Sequence, residues 1–145
     1  MIVVDASVLT AALIDDGPVG TAARDALRAD PHWSSPAHLL VEVVSAIRGR
    51  VLGGKLKPRR AGDAIRALAD LTVDVIDPVH LVDRMWQLRA NLSAYDAAYV
   101  AAAEALDCAL LTGDARLQRS RGVRCEIRVL PAEGPPSGPS PSRQR

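Results

Sequence analysis

Two short apolar runs constrain this chain more than any other feature: Ile2, Val3 and Val4 near the start, and Ala109, Leu110 and Leu111 near the end. Neither alternates with polar residues, so neither suits a strand with one wet face. Both suit strands covered on both faces, as in a parallel sheet flanked by helices. Asp5 directly follows the first run, and Thr112, Gly113 and Asp114 follow the second. Ligands of parallel α/β sheets bind beyond the carboxyl ends of the strands, so both acids are expected at that edge.

Helical patterns fill the intervals. Ala6 to Ile14 and Val19 to Ala29 read as helices separated by Asp15, Asp16, Gly17 and Pro18. Trp33 is expected on a brief second strand before Ser34 and Ser35. A helix is expected from Pro36, with Leu40, Val43, Val44, Ile47 and Val51 turned inward. Pro58 to Leu71 reads as a helix, Val73 to Ile76 as a third strand, and Val79 to Leu88 as a helix capped by Asp77. The stretch from Asn91 to Leu106 is mostly alanine after Ser93 and lacks Gly and Pro, so it favours a helix from Ala94 with Asp96 in its first turn. A short basic helix to about Arg119 and a strand around Ile127 to Leu130 complete the order. This is an α/β pattern: one three-layer domain over residues 1–130, with a mainly parallel sheet of about five short strands flanked by helices. Pro131 to Arg145, rich in Pro, Gly and Ser, is expected to be a disordered tail.

At 145 residues with 48% hydrophobic content, the chain can bury one substantial core. Aromatics are only 3% and Phe is absent, which argues against nucleic-acid binding by rows of stacked rings. Cys108 and Cys125 lack zinc-knuckle or redox spacing, no apolar run reaches membrane-spanning length, and Asp5 interrupts the amino terminus too early for a signal peptide. A reduced cytoplasmic protein with no membrane partner is expected. The net charge of +1 hides segregation: no acid lies between Glu42 and Asp63, where Arg48, Arg50, Lys55, Lys57, Arg59 and Arg60 all fall. Such a run is most often a solvated helix end and loop. With Arg116 beyond Asp114, it is also a candidate set of contacts to a nucleic-acid backbone.

Asp5, Asp96 and Asp114 are each good helix N-caps, and Asp96, three residues after Ser93, could complete a capping box. Glu42 interrupts an apolar segment beside small residues, with no Lys or Arg three or four positions away, and a buried unpaired charge is costly. Taken together, the four acids point to chemistry. Two like charges about 4 Å apart repel by roughly 4 kcal/mol at an effective dielectric of 20, so a cluster needs protonation or a hard cation. An all-oxygen set with no nearby His or Cys pair selects Mg²⁺ or Mn²⁺ over Zn²⁺; His32, His38 and His80 read as ordinary polar residues. Such an ion lowers the pKa of a bound water and neutralises phosphate charge, as phosphodiester hydrolysis requires. Asp5, Glu42, Asp96 and Asp114 are the expected catalytic and metal-ligating set.

Four segments then carry a resemblance: Val3 to Ser7, Leu40 to Val43 around Glu42, Leu92 to Tyr99, and Leu111 to Asp114. In order and spacing they resemble the PIN-domain ribonucleases, in particular the VapC-like toxins of type II toxin–antitoxin pairs, over about residues 1–130. The resemblance implies a Mg²⁺- or Mn²⁺-dependent endoribonuclease in which Asp5 and Asp96 hold a metal most directly, while Asp114 and Glu42 act through water or a second ion. Ser7 and Thr112 would orient ligands or water, or serve as local caps. It also implies an RNA substrate for the basic residues to contact, a homodimer, and a cognate small antitoxin whose tail blocks the site. Two other readings stand beside it. A Mg²⁺-dependent phosphatase of the haloacid-dehalogenase kind would want a second Asp where Ser7 stands, and a downstream Lys. A non-catalytic RNA- or protein-binding module would treat the acids as fortuitous caps.

Overall fold

The apolar run at the amino terminus becomes β1 (Ile2–Val4), every residue of which is buried. The structure, a computed structural model, describes residues 1–131. Apart from Pro131, the expected tail lies outside the described residues. Chain order continues through α1 (Ala6–Ile14), α2 (Pro18–Ala29), β2 (Trp33–Pro36), α3 (Leu39–Leu52), α4 (Pro58–Ala69), β3 (Asp74–Ile76), α5 (Val82–Gln87), α6 (Ala94–Ala105), β4 (Ala109–Thr112) and β5 (Ile127–Val129). The five strands form one sheet in the order β3-β2-β1-β4-β5, and all four pairings are parallel. The expected α/β architecture with about five short strands is what forms.

Register decides where the acids emerge. Ile2 pairs with Ala109 and Val4 with Leu111, and the Asp5 N–H donates to Leu111 O at 3.2 Å. Asp5 and Thr112 therefore leave the sheet side by side. From β1 the chain runs outward to β2 and β3, then crosses back to β4 on the opposite side of β1. The crevice at the carboxyl ends of β1 and β4 is thus the place where strand order reverses, the usual ligand position in such sheets. Helices α1 to α4 pack on one another, whereas α6 lies across β1, β2 and β4 with α5 against it. Ala97 to Ala103 of α6 are all buried, and a helix buried all round needs this absence of charge.

Several boundaries differ from those expected. Pro36 ends β2, paired with Ile76, rather than opening the next helix. It is tolerated there because β1 pairs only with Trp33 and Ser34, so no ladder partner on that side needs the N–H that proline lacks. α3 buries Leu39, Val43 and Ile47, leaving Leu40 and Val44 about half exposed. The helix expected over Val79 to Leu88 is a 3₁₀ turn at Pro78–His80 followed by α5, and the basic helix after Asp114 is one 3₁₀ turn, Leu117–Arg119. Among the described residues, no helix is long and apolar enough to cross a membrane.

Arg84 ties the outer layer to α6. Its Nε donates to Glu104 Oε2 at 2.6 Å and its Nη2 to Glu104 Oε1 at 3.1 Å and Gly122 O at 2.6 Å; Glu104 also accepts from Arg124 N–H at 2.8 Å. Burial pushes the Glu104 carboxyl up, but the Arg84 hydrogen bonds, the Arg124 N–H and both guanidinium charges outweigh it and hold it below its ordinary value. Glu104→Gln should lower unfolding free energy by about 1–3 kcal/mol at neutral pH in urea titrations. Because the folded carboxyl titrates lower than the unfolded one, this stabilisation is complete above the unfolded value, about pH 4.3. It is lost as pH falls through the folded value, so the two stability curves should converge in acid.

Candidate active site

A cavity of about 670 Å³ opens at the carboxyl edge of the sheet, and Asp5, Glu42, Asp96 and Asp114 all line it. Arg50 and Tyr99 are on its wall as well. Each acid arrives on a different element: Asp5 at the end of β1, Glu42 in the first turn of α3, Asp96 in the first turn of α6, and Asp114 beyond β4. The fold therefore brings residues separated by most of the chain to one cavity.

Asp5 is the most enclosed, at 7% exposure. Its Oδ1 accepts from Ser7 N at 3.0 Å, Val8 N at 3.3 Å and the Ser7 hydroxyl, while its Oδ2 accepts from the Thr112 hydroxyl. The cap reading of Asp5 therefore holds beside any chemical one. All these donors are neutral. Burial raises the Asp5 carboxyl above its ordinary value, opposed by the hydrogen bonds from Ser7 and Thr112 and from the Val8 and Ser7 N–H groups. Ser7 Oγ also accepts from Gly113 N at 2.8 Å, and Thr112 Oγ1 from Asp114 N at 3.0 Å, so the two hydroxyls lace the ends of β1 and β4 together around the carboxylate. Gly113 permits this closeness, since a Cβ there would stand 3.0 Å from Ser7 Oγ.

The other acids have separate arrangements. Ser93 Oγ accepts from Asp96 N at 3.2 Å, which is half of a capping box. No side-chain hydrogen bond among the described residues engages the Asp96 carboxylate. Glu42 Oε2 accepts from the Tyr99 hydroxyl at 2.5 Å and stands 3.9 Å from His38 Nε2. Asp114 is gripped by Arg116, whose Nε lies 3.0 and 3.1 Å from its two oxygens and whose Nη2 lies 2.7 Å from Oδ2. That guanidinium holds the Asp114 carboxyl below its ordinary range. Among the described residues, no three His, Cys, Asp or Glu side chains stand close enough, as they are oriented, to hold one metal ion.

The basic residues divide. Arg50 lines the cavity, Arg60 pairs with Asp16 at 3.1 Å, and Arg116 is folded onto Asp114. Arg48, Lys55, Lys57 and Arg59 are exposed and do not line the cavity. Two cavity residues escaped the sequence reading. Tyr99 is the only polar-tipped side chain in the buried run of α6 and lies one turn after Asp96, a faint signal that it faces the same way. Thr10, buried and lining the cavity, has a hydroxyl without a hydrogen-bond partner among the described residues; nothing in the sequence distinguished it from other α1 residues.

Similarity to known proteins agrees with this geometry. A family model described as the PIN domain matches residues 2–123. Ribonuclease VapC9 of Mycobacterium tuberculosis is 41% identical over 131 residues, covering 90% of this chain and 99% of that protein. Ribonuclease VapC1 of the same organism is 40% identical over 131 residues, covering 88% and 96%. Among solved structures, VapBC2 from Rickettsia felis, bound to a DNA fragment from its promoter, has a TM-score of 0.66 at 12% identity, covering 90% of this chain and 100% of that chain. At that identity the likeness shows the fold.

Two substitutions test the geometry in metal-free protein. Asp5→Asn keeps the shape and removes the buried charge. A carboxyl raised in the folded state destabilises it at high pH and ceases to do so as pH falls through the folded value. The variant should therefore be more stable than wild type at neutral pH, with the gap closing on acidification; a constant gap would contradict a buried, uncompensated Asp5. Tyr99→Phe should cost about 1.5–3 kcal/mol in chemical denaturation, the loss of one hydrogen bond to a carboxylate acceptor.

Proposed function

This chain belongs to the PIN-domain family and is similar to the VapC ribonucleases, and on that premise we propose that the cavity at the β1/β4 edge is the active site of an endoribonuclease toxin. The observation that carries the reading is the convergence of Asp5, Glu42, Asp96 and Asp114 on one cavity. No Lys or Arg pairs with Asp5, Glu42 or Asp96 among the described residues. The donors are all oxygen, the set that suits a hard divalent cation, Mg²⁺ or Mn²⁺. The buried Asp5, surrounded by neutral donors only, is the group with most to gain from one.

Within this site Asp5 and Asp96 would hold the cation, with Glu42 and Asp114 as outer ligands. Once bound, such an ion would supply an acidified water and neutralise charge on the scissile phosphate. The chain's own groups do the positioning. Ser7 and Thr112 fix the Asp5 carboxylate by hydrogen bonds to both oxygens, and Tyr99 fixes Glu42. Preorganised ligands lose little freedom when the substrate arrives. Arg50, on the cavity wall, would meet a backbone phosphate of the RNA, and the exposed Arg48, Lys55, Lys57 and Arg59 would add positive charge outside the cavity, whereas Arg60 is paired with Asp16.

The partner proposed is a cognate small antitoxin protein; VapBC assemblies share this fold. A homodimer is part of the same reading, supported by the exposed apolar side chains Leu40, Val41 and Val44 along α3. Cytoplasmic action fits an RNA substrate and the two free cysteines, Cys108 and Cys125. Neither alternative is favoured by a specific observation: Ser7, where a phosphatase would want its second Asp, is occupied in holding Asp5 and Gly113.

Purified protein should cut single-stranded RNA in Mg²⁺ or Mn²⁺ and stop when the ion is chelated. Asp5→Asn and Asp96→Asn should each lower the rate by at least about a hundredfold while keeping the circular dichroism of the folded protein. Undiminished cutting by either variant would remove the four-acid site.

A further inference from the structure

The feature that the nuclease reading leaves unexplained is Arg116. Its side chain is 81% exposed, free to extend into solvent, yet it turns back and grips the Asp114 carboxylate with Nε and Nη2. The backbone supports the grip, since Arg116 N–H donates to Asp114 Oδ1 at 2.9 Å and closes a tight Asx turn. Arg116 is thus a cation at the mouth of the acid cluster, bound to one of its four members.

We propose that Arg116 is the cluster's built-in counter-cation, exchanged for the divalent ion on loading and thereby released to bind RNA phosphate beside the scissile bond. The inference rests on the nuclease reading above and adds a coupling to it. With the side chains as they stand, no three acids among the described residues form a group that could hold an ion; Asp114 lines the same cavity as Asp5 and Asp96 and is the one acid of the four held by a guanidinium, so its release from Arg116 would free a carboxylate on that wall. A planar guanidinium fork fits a carboxylate and a phosphate oxygen pair equally well. Being two residues from Asp114, Arg116 cannot drift away when displaced, so its charge stays within a side chain's length of the cavity mouth. Metal and RNA would then bind with positive coupling: the ion removes Arg116 from Asp114, and a phosphate that holds Arg116 leaves Asp114 free for the ion.

The test uses full-length protein, Mn²⁺ and a short single-stranded phosphorothioate RNA that keeps its charge and resists hydrolysis. Wild type is compared with Arg116→Ala, Arg116→Lys and Asp96→Asn, with circular dichroism confirming the fold of each. By calorimetry, wild type should bind Mn²⁺ in a manner that Asp96→Asn loses, and Arg116→Ala should bind it about three- to fivefold more tightly, as expected for removing an exposed competing pair. RNA affinity is then measured against salt. With Mn²⁺ present, Arg116→Ala should lower the log–log salt slope by about 0.7, the loss of one phosphate contact on a single strand, whereas Arg116→Lys should keep the slope. Without Mn²⁺ the Ala substitution should leave the slope unchanged, because Arg116 is then held by Asp114. Unaltered Mn²⁺ affinity in Arg116→Ala, or an equal loss of slope with and without Mn²⁺, overturns the exchange while leaving the nuclease reading intact. Failure of wild type to bind Mn²⁺ at all overturns the nuclease reading, and the exchange with it.

Discussion

A carboxylate buried at the end of a central parallel strand is the constraint on which the rest of this site depends. Asp5 cannot move away from the sheet, because its own N–H pairs with Leu111 and its side chain caps α1. Removing such a charge from water costs several kcal/mol unless it is matched, and the matching seen is made of dipoles alone. Ser7 and Thr112 take up both oxygens, and in doing so they fasten Gly113 and Asp114 at the neighbouring strand end. The same hydrogen bonds that make the buried charge tolerable therefore build the floor of the cavity and fix the origin of the loop that carries the fourth acid.

The four acids differ in how their charge is met. Asp5 relies on neutral donors, Glu42 on a phenol from the neighbouring helix, Asp114 on a guanidinium, and Asp96 lies open on the cavity wall. This graded arrangement makes a folded, metal-free cluster possible without protonating every member. Under the proposed exchange, ion affinity would reflect a change of partners rather than simple attraction to four bare carboxylates. The identity of 41% to a ribonuclease over nearly all of its length carries the activity, whereas the distant structural likeness carries only the sheet order and helix layers.

Much of the architecture could be read from local pattern. The unalternating runs at Ile2–Val4 and Ala109–Leu111 marked doubly covered strands, and an acid just past each marked the ligand edge. Ser93 and the alanine run gave α6 and the place of Asp96. Local pattern failed where the deciding partner is remote or has no regular period. Pro36 read as a helix start because proline suits that position, yet the short reach of β1 left room for it at a strand end. Glu42 read as unpartnered because its hydrogen-bond donor is remote in sequence: Tyr99 comes from 57 residues further along. Ser7 and Thr112 left two readings open, and both hydroxyls donate to Asp5 itself. Arg116 read as a candidate contact to the RNA backbone, but its position two residues after Asp114 allows a local turn to fold it back onto that carboxylate.

The most direct test of the central claim is anomalous diffraction from a crystal of the protein soaked in Mn²⁺. The account predicts a peak within coordinating distance of the Asp5 and Asp96 carboxylates, with Arg116 turned away from Asp114. A well-ordered crystal with no peak in this cavity, or with Mn²⁺ held by acids elsewhere on the chain, would contradict it.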